Sequence, residues 1–217
     1  MIVVDSSSII SLATNCMCSI LDRLGAEFAI TPKVYEEIIS RPSENRRFAL
    51  ESMRIRRLVS SGTVVVKKPK GDLHERILDA ANSTYLVRGR VLRIIHHAEA
   101  ESIALATEIG ANAIMIDERT TRLLMEDPME LKELLSYRNR EDVQVNGMRL
   151  RQLTDIMPKI PLIRSTELVA VAYEKGLLTD MYRVEDKSVL EAALSALKFS
   201  GCAISWEEIG EYSKAVI

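Results

Sequence analysis

Apolar residues arrive in this chain as short runs separated by longer stretches with helical spacing, and that alternation predicts an α/β protein. Ile2-Val3-Val4 carries no polar partner, the pattern of a strand buried on both faces. Ser6-Ser7-Ser8 offers capping hydroxyls for a helix through Ile9, Ile10, Leu12 and Ala13, and a second helical stretch over 16–24 stops at Gly25. Residues 28–31 read as the second strand; Pro32 then opens a helix capped by Thr31, with Pro42 marking a break near its end. A long basic helix is expected over 43–60, anchored by Phe48, Leu50, Ile55, Leu58 and Val59, and the β-branched run 63–66 follows Gly62.

Helices are expected over 73–85 and 98–109, the latter closed by Gly110, with no assignment for 86–95; residues 113–116 form the next strand. Further on, 119–125 and 129–137 look helical. Asn146-Gly147 suits either a type I′ hairpin between 143–145 and 148–150 or the start of a helix. Pro158 and Pro161 mark a connector, 166–175 and 187–199 read as amphipathic helices, and Ser205 caps a last short one. The alternation of helices with short strands predicts a central parallel sheet built from βαβ units.

Composition narrows the picture. With 217 residues and 47% apolar content the chain has enough material for one cored domain with an appendage. No apolar run approaches the roughly 20 residues that span a bilayer, and no basic leader precedes the first strand, so a cytoplasmic protein is expected with no membrane partner. Three cysteines are too few for a disulfide framework, and Cys16 and Cys18, read on one helix, point to different faces. The net charge of -2 leaves no whole-chain nucleic-acid footprint. Between 41 and 70, however, nine bases face two acids, and Arg46, Arg54, Arg57, Lys67 and Lys68 are candidate RNA contacts.

The chemistry lies in the acids. Asp5 and Asp117 each close a predicted strand, Glu37 ends the helix after the second strand, and Glu99 opens the helix before the last. Ligands of open α/β sheets bind beyond the carboxyl ends of the strands. Carboxylates gathered there suit a hard cation, Mg²⁺ or Mn²⁺. Ser6 or Ser7 is placed to support Asp5, and Glu101 is a supporting acid. Each acid also has a plain reading: Glu36 and Glu37 as surface glutamates, Glu99 and Glu101 as dipole partners of their helix, Asp117 as a cap. His97 and Glu101 share a helix face, but no third zinc ligand stands near them.

These residues resemble the PIN-domain family of metal-dependent nucleases. Val3-Val4-Asp5-Ser6-Ser7 is similar to its opening strand and first acid, and Val34-Tyr35-Glu36-Glu37-Ile38 to its second acidic motif, with Glu37 the preferred position and Glu36 the fallback. The run from Ala98-Glu99-Ala100-Glu101 to Ala106 resembles the third motif, with Glu99 as its acid, although Ala98 stands where glycine is common. Gly110 through Ile116-Asp117-Glu118-Arg119 resembles the fourth, which puts its acid at Asp117. Glu174-Lys175-Gly176-Leu177 and Ile204-Ser205-Trp206-Glu207 resemble the tail of a prokaryotic branch with a helical C-terminal extension. The stretch from about 125 to 163 is longer than that branch usually has.

The resemblance implies a three-layer α/β/α sandwich around a parallel sheet: a core over 1–125, an insertion or connector over 126–163 and a helical extension over 164–217. It implies Mg²⁺- or Mn²⁺-dependent hydrolysis of single-stranded or structured RNA, with Asp5, Glu37, Glu99 and Asp117 holding the metal. Many small members are VapC-like toxins of toxin–antitoxin pairs, so an antitoxin partner and a homodimer are further expectations. The alternative is a catalytically silent PIN-like module that binds RNA or protein. A phosphohydrolase using Asp5 as nucleophile usually needs an aspartate two residues on, where this chain has Ser7.

Overall fold

The computed structural model describes residues 1–41, 48–184 and 188–215. Five short strands form its parallel sheet: β1 (Ile2–Val4), β2 (Phe28–Ile30), β3 (Val64–Val66), and, after an antiparallel pair β4 (Tyr85–Val87) and β5 (Arg90–Val91), β6 (Ala113–Met115). The two-residue β7 (Gln144–Val145) pairs with β4, and β8 (Leu162–Ile163) completes the parallel sheet. The order is β3-β2-β1-β6-β8. Ile2 stands opposite both Phe28 and Ala113, and Val4 opposite Met115, so β1, β2 and β6 end close together at one edge.

Side chains of successive strand residues point to opposite faces, and each face has its own core. Val3, Ala29 and Ile114 pack with Ile77, Ile103, Leu105 and Leu124. Val4, Ile30 and Met115 pack with Ile9, Leu12, Leu58, Leu168 and Leu194. Helices over Leu73–Ala81, His97–Glu108 and Gly147–Ile156 contribute to the first layer. Helices over Ser6–Thr14, Ala49–Ser60, Ser165–Glu174 and Ser188–Phe199 contribute to the second. This is the expected α/β/α sandwich with helices at the C-terminal end.

Several local expectations are corrected. Cys16 has a left-handed backbone (φ 61°), so the second helix begins only at Ser19 and runs to Arg23. Pro32–Tyr35 is α-helical with the Thr31 side chain accepting from Val34 N–H at 3.3 Å, but Glu36–Ser40 winds as a π-helix. Such wide turns are frequent at functional sites. The expected break at Pro42 and the first residues of the 43–60 helix fall outside the described residues. The helix over Ala49–Ser60 buries Ser52, Ile55 and Leu58. Leu50, two positions from Ser52, faces the opposite side, and Phe48 precedes the first helical turn; both are exposed rather than anchors.

Residue 85 belongs to a strand, because the preceding helix ends at Ala81 and Tyr85, fully buried, docks its hydroxyl on Pro128 O at 2.9 Å. Arg88-Gly89, both at positive φ (49° and 74°), make the tight turn between β4 and β5. Asn146 starts a helix: its side chain accepts from Met148 and Arg149 N–H groups, each at 3.2 Å. The sheet's edge strand β8 comes from the stretch read as a connector between Pro158 and the C-terminal helices.

Candidate active site

Asp5 follows β1 and caps the helix Ser6–Thr14. Its Oδ2 accepts from Ser7 N–H at 3.2 Å and Ser7 Oγ at 3.0 Å. The other oxygen, Oδ1, is buried and has no hydrogen-bond partner among the described residues. Burial pushes the Asp5 carboxyl up to about 6, against hydrogen bonds from Ser7 and Ser6, and the Glu37 charge adds to the rise. Glu99 is pushed up to about 7, first by burial and then by the charge of Asp5. It is held from two sides: Oε2 accepts from His96 N–H at 2.5 Å and Oε1 from Thr121 Oγ at 2.8 Å.

Glu37 sits on the π-turn and accepts from Ser6 Oγ at 2.9 Å, whereas its neighbour Glu36 is turned to Lys33 (3.0 Å) and Arg41 (2.9 Å) on the exposed side. Asp5 therefore feels the charge of Glu37, and Glu99 that of Asp5, across three motifs distant in sequence.

Asp117 has different surroundings. Its Oδ1 accepts from Ser8 Oγ at 2.9 Å and Ser165 N–H at 2.7 Å, and Oδ2 from Ser165 Oγ at 2.6 Å. Its backbone N–H donates to Ser7 Oγ at 3.2 Å. Ser7 thus joins the loop after β6 to Asp5. Glu118, next in the chain, caps the helix Arg119–Glu126 by accepting from Thr121 N–H at 2.7 Å, and its charge contributes to the rise at Glu99. Sequence reasoning passed over Glu118, Thr121, Ser8 and Ser165. The adjacent Asp-Glu pair was the available signal for the first; the last two became visible only through long-range contacts.

The remaining candidates are placed elsewhere. Glu101 is buried and accepts from Lys33 N–H at 3.2 Å, bracing the start of the helix that leads to Glu37. His96 and His97 are exposed. Arg54 donates to Ala13 O at 2.8 Å and Arg57 pairs with Asp22 at 3.0 Å. Lys67 and Lys68 are exposed just beyond β3, while Arg46 lies outside the described residues.

Among the described residues, no three acid, histidine or cysteine side chains already stand in ligating geometry around one point. The donor chemistry nevertheless suits a hard divalent ion: carboxylate oxygens, mutually repelling, one of them buried without a donor.

The parallel sheet flanked by helices defines an α/β protein, and Asp5 and Asp117 stand at the carboxyl edge of its strands, where open sheets of this class bind ligands. The chain belongs to the PIN-domain family, whose model matches residues 1–127. PIN domains are generally nucleases that bind RNA and typically use divalent metals, which places the chain in a nuclease class. No curated protein matches it. No helix among the described residues is long and apolar enough to cross a membrane.

Proposed function

We propose that this protein is a Mg²⁺- or Mn²⁺-dependent endoribonuclease that hydrolyses single-stranded RNA at the carboxyl edge of β1 and β6. The observation that carries the reading is the buried, donor-less Oδ1 of Asp5 beside the charges of Glu37 and Glu99. A buried carboxylate oxygen without a partner is costly. A cation removes that cost and the mutual repulsion together.

Asp5, Glu37 and Glu99 would hold the ion, with Glu118 a further acid whose charge reaches Glu99. When bound, a divalent ion supplies Lewis acidity to phosphodiester hydrolysis. The chain's own residues do the rest. Ser7 fixes the Asp5 carboxylate, Ser6 orients Glu37, Thr121 orients Glu99, and Asp117 ties the two strand ends together. The toxin role, the antitoxin partner and the homodimer rest on the family resemblance alone.

The test is cleavage of single-stranded RNA with Mn²⁺ by the parent, Asp5→Asn, Glu99→Gln and Glu36→Gln. The first two variants are expected to lose cleavage while staying folded, and Glu36→Gln to keep it. Cutting by Asp5→Asn at the parental rate would overturn the assignment. Absence of Mn²⁺ binding in calorimetry at millimolar metal would leave the silent binding module as the better reading.

A further inference from the structure

Beside the acids lies a polar cleft of about 530 Å³ that the proposed chemistry leaves unused. One wall is the helix that follows Glu118, with Arg119 and Arg122. The other is formed by Arg164, Lys198 and the turn at Ala203–Ser205. The cleft is tied to Asp117, at the end of β6, through two contacts: Ala203 N–H donates to Asp117 O at 3.2 Å, and Ser165, next to Arg164, donates to the Asp117 carboxylate.

At the rim stand two aromatic rings that the fold does not bury. Phe199 is 80% exposed and Trp206 55% exposed. They meet edge to face with centroids 5.7 Å apart. Lys198, which lines the cleft, places its ammonium 5.2 Å from the Trp206 ring centre. Two aromatic rings left in water are costly, and these adjoin, through Lys198 and Ser205, a cleft of mixed charge in which Arg119, Arg122, Arg164 and Lys198 stand beside Glu126, Glu130 and Glu208.

The cations divide by role. Arg164 is 8% exposed and locked: it donates to Ala203 O at 2.8 Å and pairs with Glu167 and Glu208. It thereby fixes the turn that presents Trp206. Among the described residues, Arg119 and Arg122 pair with Glu130 (3.1 Å) and Glu126 (3.4 Å), and Arg122 Nε is buried without an acceptor. Partly exposed pairs of this kind contribute little, so a phosphate can replace the carboxylate. An exposed indole face, a cation beside it and weakly paired arginines that can exchange carboxylate for phosphate are elements that hold a single strand.

We propose, resting on the nuclease reading, that Phe199 and Trp206 form a nucleobase-stacking platform for the single-stranded substrate, with Arg119 and Arg122 holding the phosphates between that base and the scissile bond. The C-terminal helices then select unpaired RNA, because a base inside a duplex presents no free face to a ring. A second copy of this chain is the competing occupant. It is disfavoured because the platform is small and opens onto a cleft lined by charges.

Trp206 is the one tryptophan of the sequence, so its emission reports this surface directly. The experiment titrates the full chain in EDTA with oligoadenylate and with the oligoadenylate–oligouridylate duplex. Oligoadenylate is expected to quench Trp206, with affinity falling as salt rises; the duplex is expected to leave it unchanged. Phe199→Ala and Trp206→Ala are each expected to weaken binding, followed by oligonucleotide anisotropy, by roughly ten-fold, the order of one stacked base. Trp206→Phe should restore it, and in Mn²⁺ the effect of Phe199→Ala should fall on KM rather than kcat. Unquenched emission at saturating oligoadenylate would overturn the proposal. So would a concentration-dependent dimer in sedimentation that Phe199→Ala abolishes. Failure of the nuclease reading would instead show as unaltered cleavage by Asp5→Asn, with the quenching intact.

Discussion

Ser165 donates to both oxygens of Asp117, from its N–H at 2.7 Å and its hydroxyl at 2.6 Å. The first turn of a C-terminal helix is thereby clamped to the end of a central strand. Asp117 is 1% exposed and Ser165 fully buried, so water cannot replace what is lost if the pair is broken. Ser165→Ala is expected to lower stability by about 1–3 kcal/mol, the range for leaving one buried polar partner under-satisfied. Urea unfolding checks it. Mn²⁺ binding should persist in the variant, because Asp5 and Glu99 do not touch Ser165; loss of metal binding without loss of stability would place Asp117 among the ligands.

The same geometry separates Asp117 from its neighbour. Asp117 spends its oxygens on Ser8 and Ser165, whereas Glu118 gives one oxygen to the Thr121 N–H and acts on Glu99. Glu118→Gln keeps a side-chain oxygen for the helix cap but removes the charge. It is expected to weaken Mn²⁺ binding by roughly ten-fold, the lower end for an altered metal environment, with little loss of stability. Asp117→Asn is expected to do the reverse and lower the unfolding midpoint, since a neutral amide accepts less strongly from the two serines. Calorimetry and urea unfolding on both variants distinguish the two roles.

How much of this was legible in the sequence depends on how local the determinants are. The runs Ile2-Val3-Val4 and Ala113–Met115 are buried on both faces and announced themselves as strands. The Thr31-Pro32 helix start and the Ser205 cap are chemistry within one turn, and both formed as read. By contrast, β8 has two residues and exists only through its pairing with β6, and β7 only through β4. Neither is long enough to show a period. The π-turn that carries Glu36 and Glu37 has no local sequence signal; it packs against the helix Ala49–Ser60, where Ser52 donates to Ile39 O at 3.1 Å. The partners of the basic run were not legible either: Arg54 and Arg57 meet theirs 41 and 35 positions away along the chain, beyond the reach of local charge counting.

That division of the basic residues has a measurable consequence. Arg54 supplements the C-terminal turn of the first helix by donating to Ala13 O at 2.8 Å. Arg54→Ala is therefore expected to cost about 1 kcal/mol of stability and leave RNA affinity and its salt slope unaltered. Lys67 and Lys68 are exposed beyond the carboxyl end of β3, the same edge as Asp5. Lys67→Ala with Lys68→Ala is expected to leave stability unaltered and make RNA binding less salt-dependent. Filter binding at several salt concentrations, beside thermal unfolding, reads both. A salt slope that changes with Arg54 and not with the lysines would reverse the roles.

The acids also set how the metal-free protein responds to pH. Asp5 rises from 3.8 to about 6 and Glu99 from 4.5 to about 7 on folding, both chiefly through burial. The folded state then holds protons that the unfolded chain has already released between pH 4 and 7. Stability is fully present below the unfolded values and is lost as pH climbs through the folded ones, by an amount on the order of a few kcal/mol for the coupled pair. In EDTA the parent is thus expected to be more stable at pH 5 than at pH 8. Asp5→Asn removes one of the repelling charges but keeps an oxygen for the Ser7 N–H. It should be more stable than the parent at pH 8 and lose that advantage towards pH 4. Mn²⁺ should raise the parent's unfolding temperature at pH 8, where the carboxylates are charged, and leave that of Asp5→Asn nearly unmoved. A parent and variant whose stabilities run parallel from pH 4 to 8 would mean that burial does not hold the Asp5 carboxyl above its ordinary range, and the argument for a cation at this edge would lose its driving force.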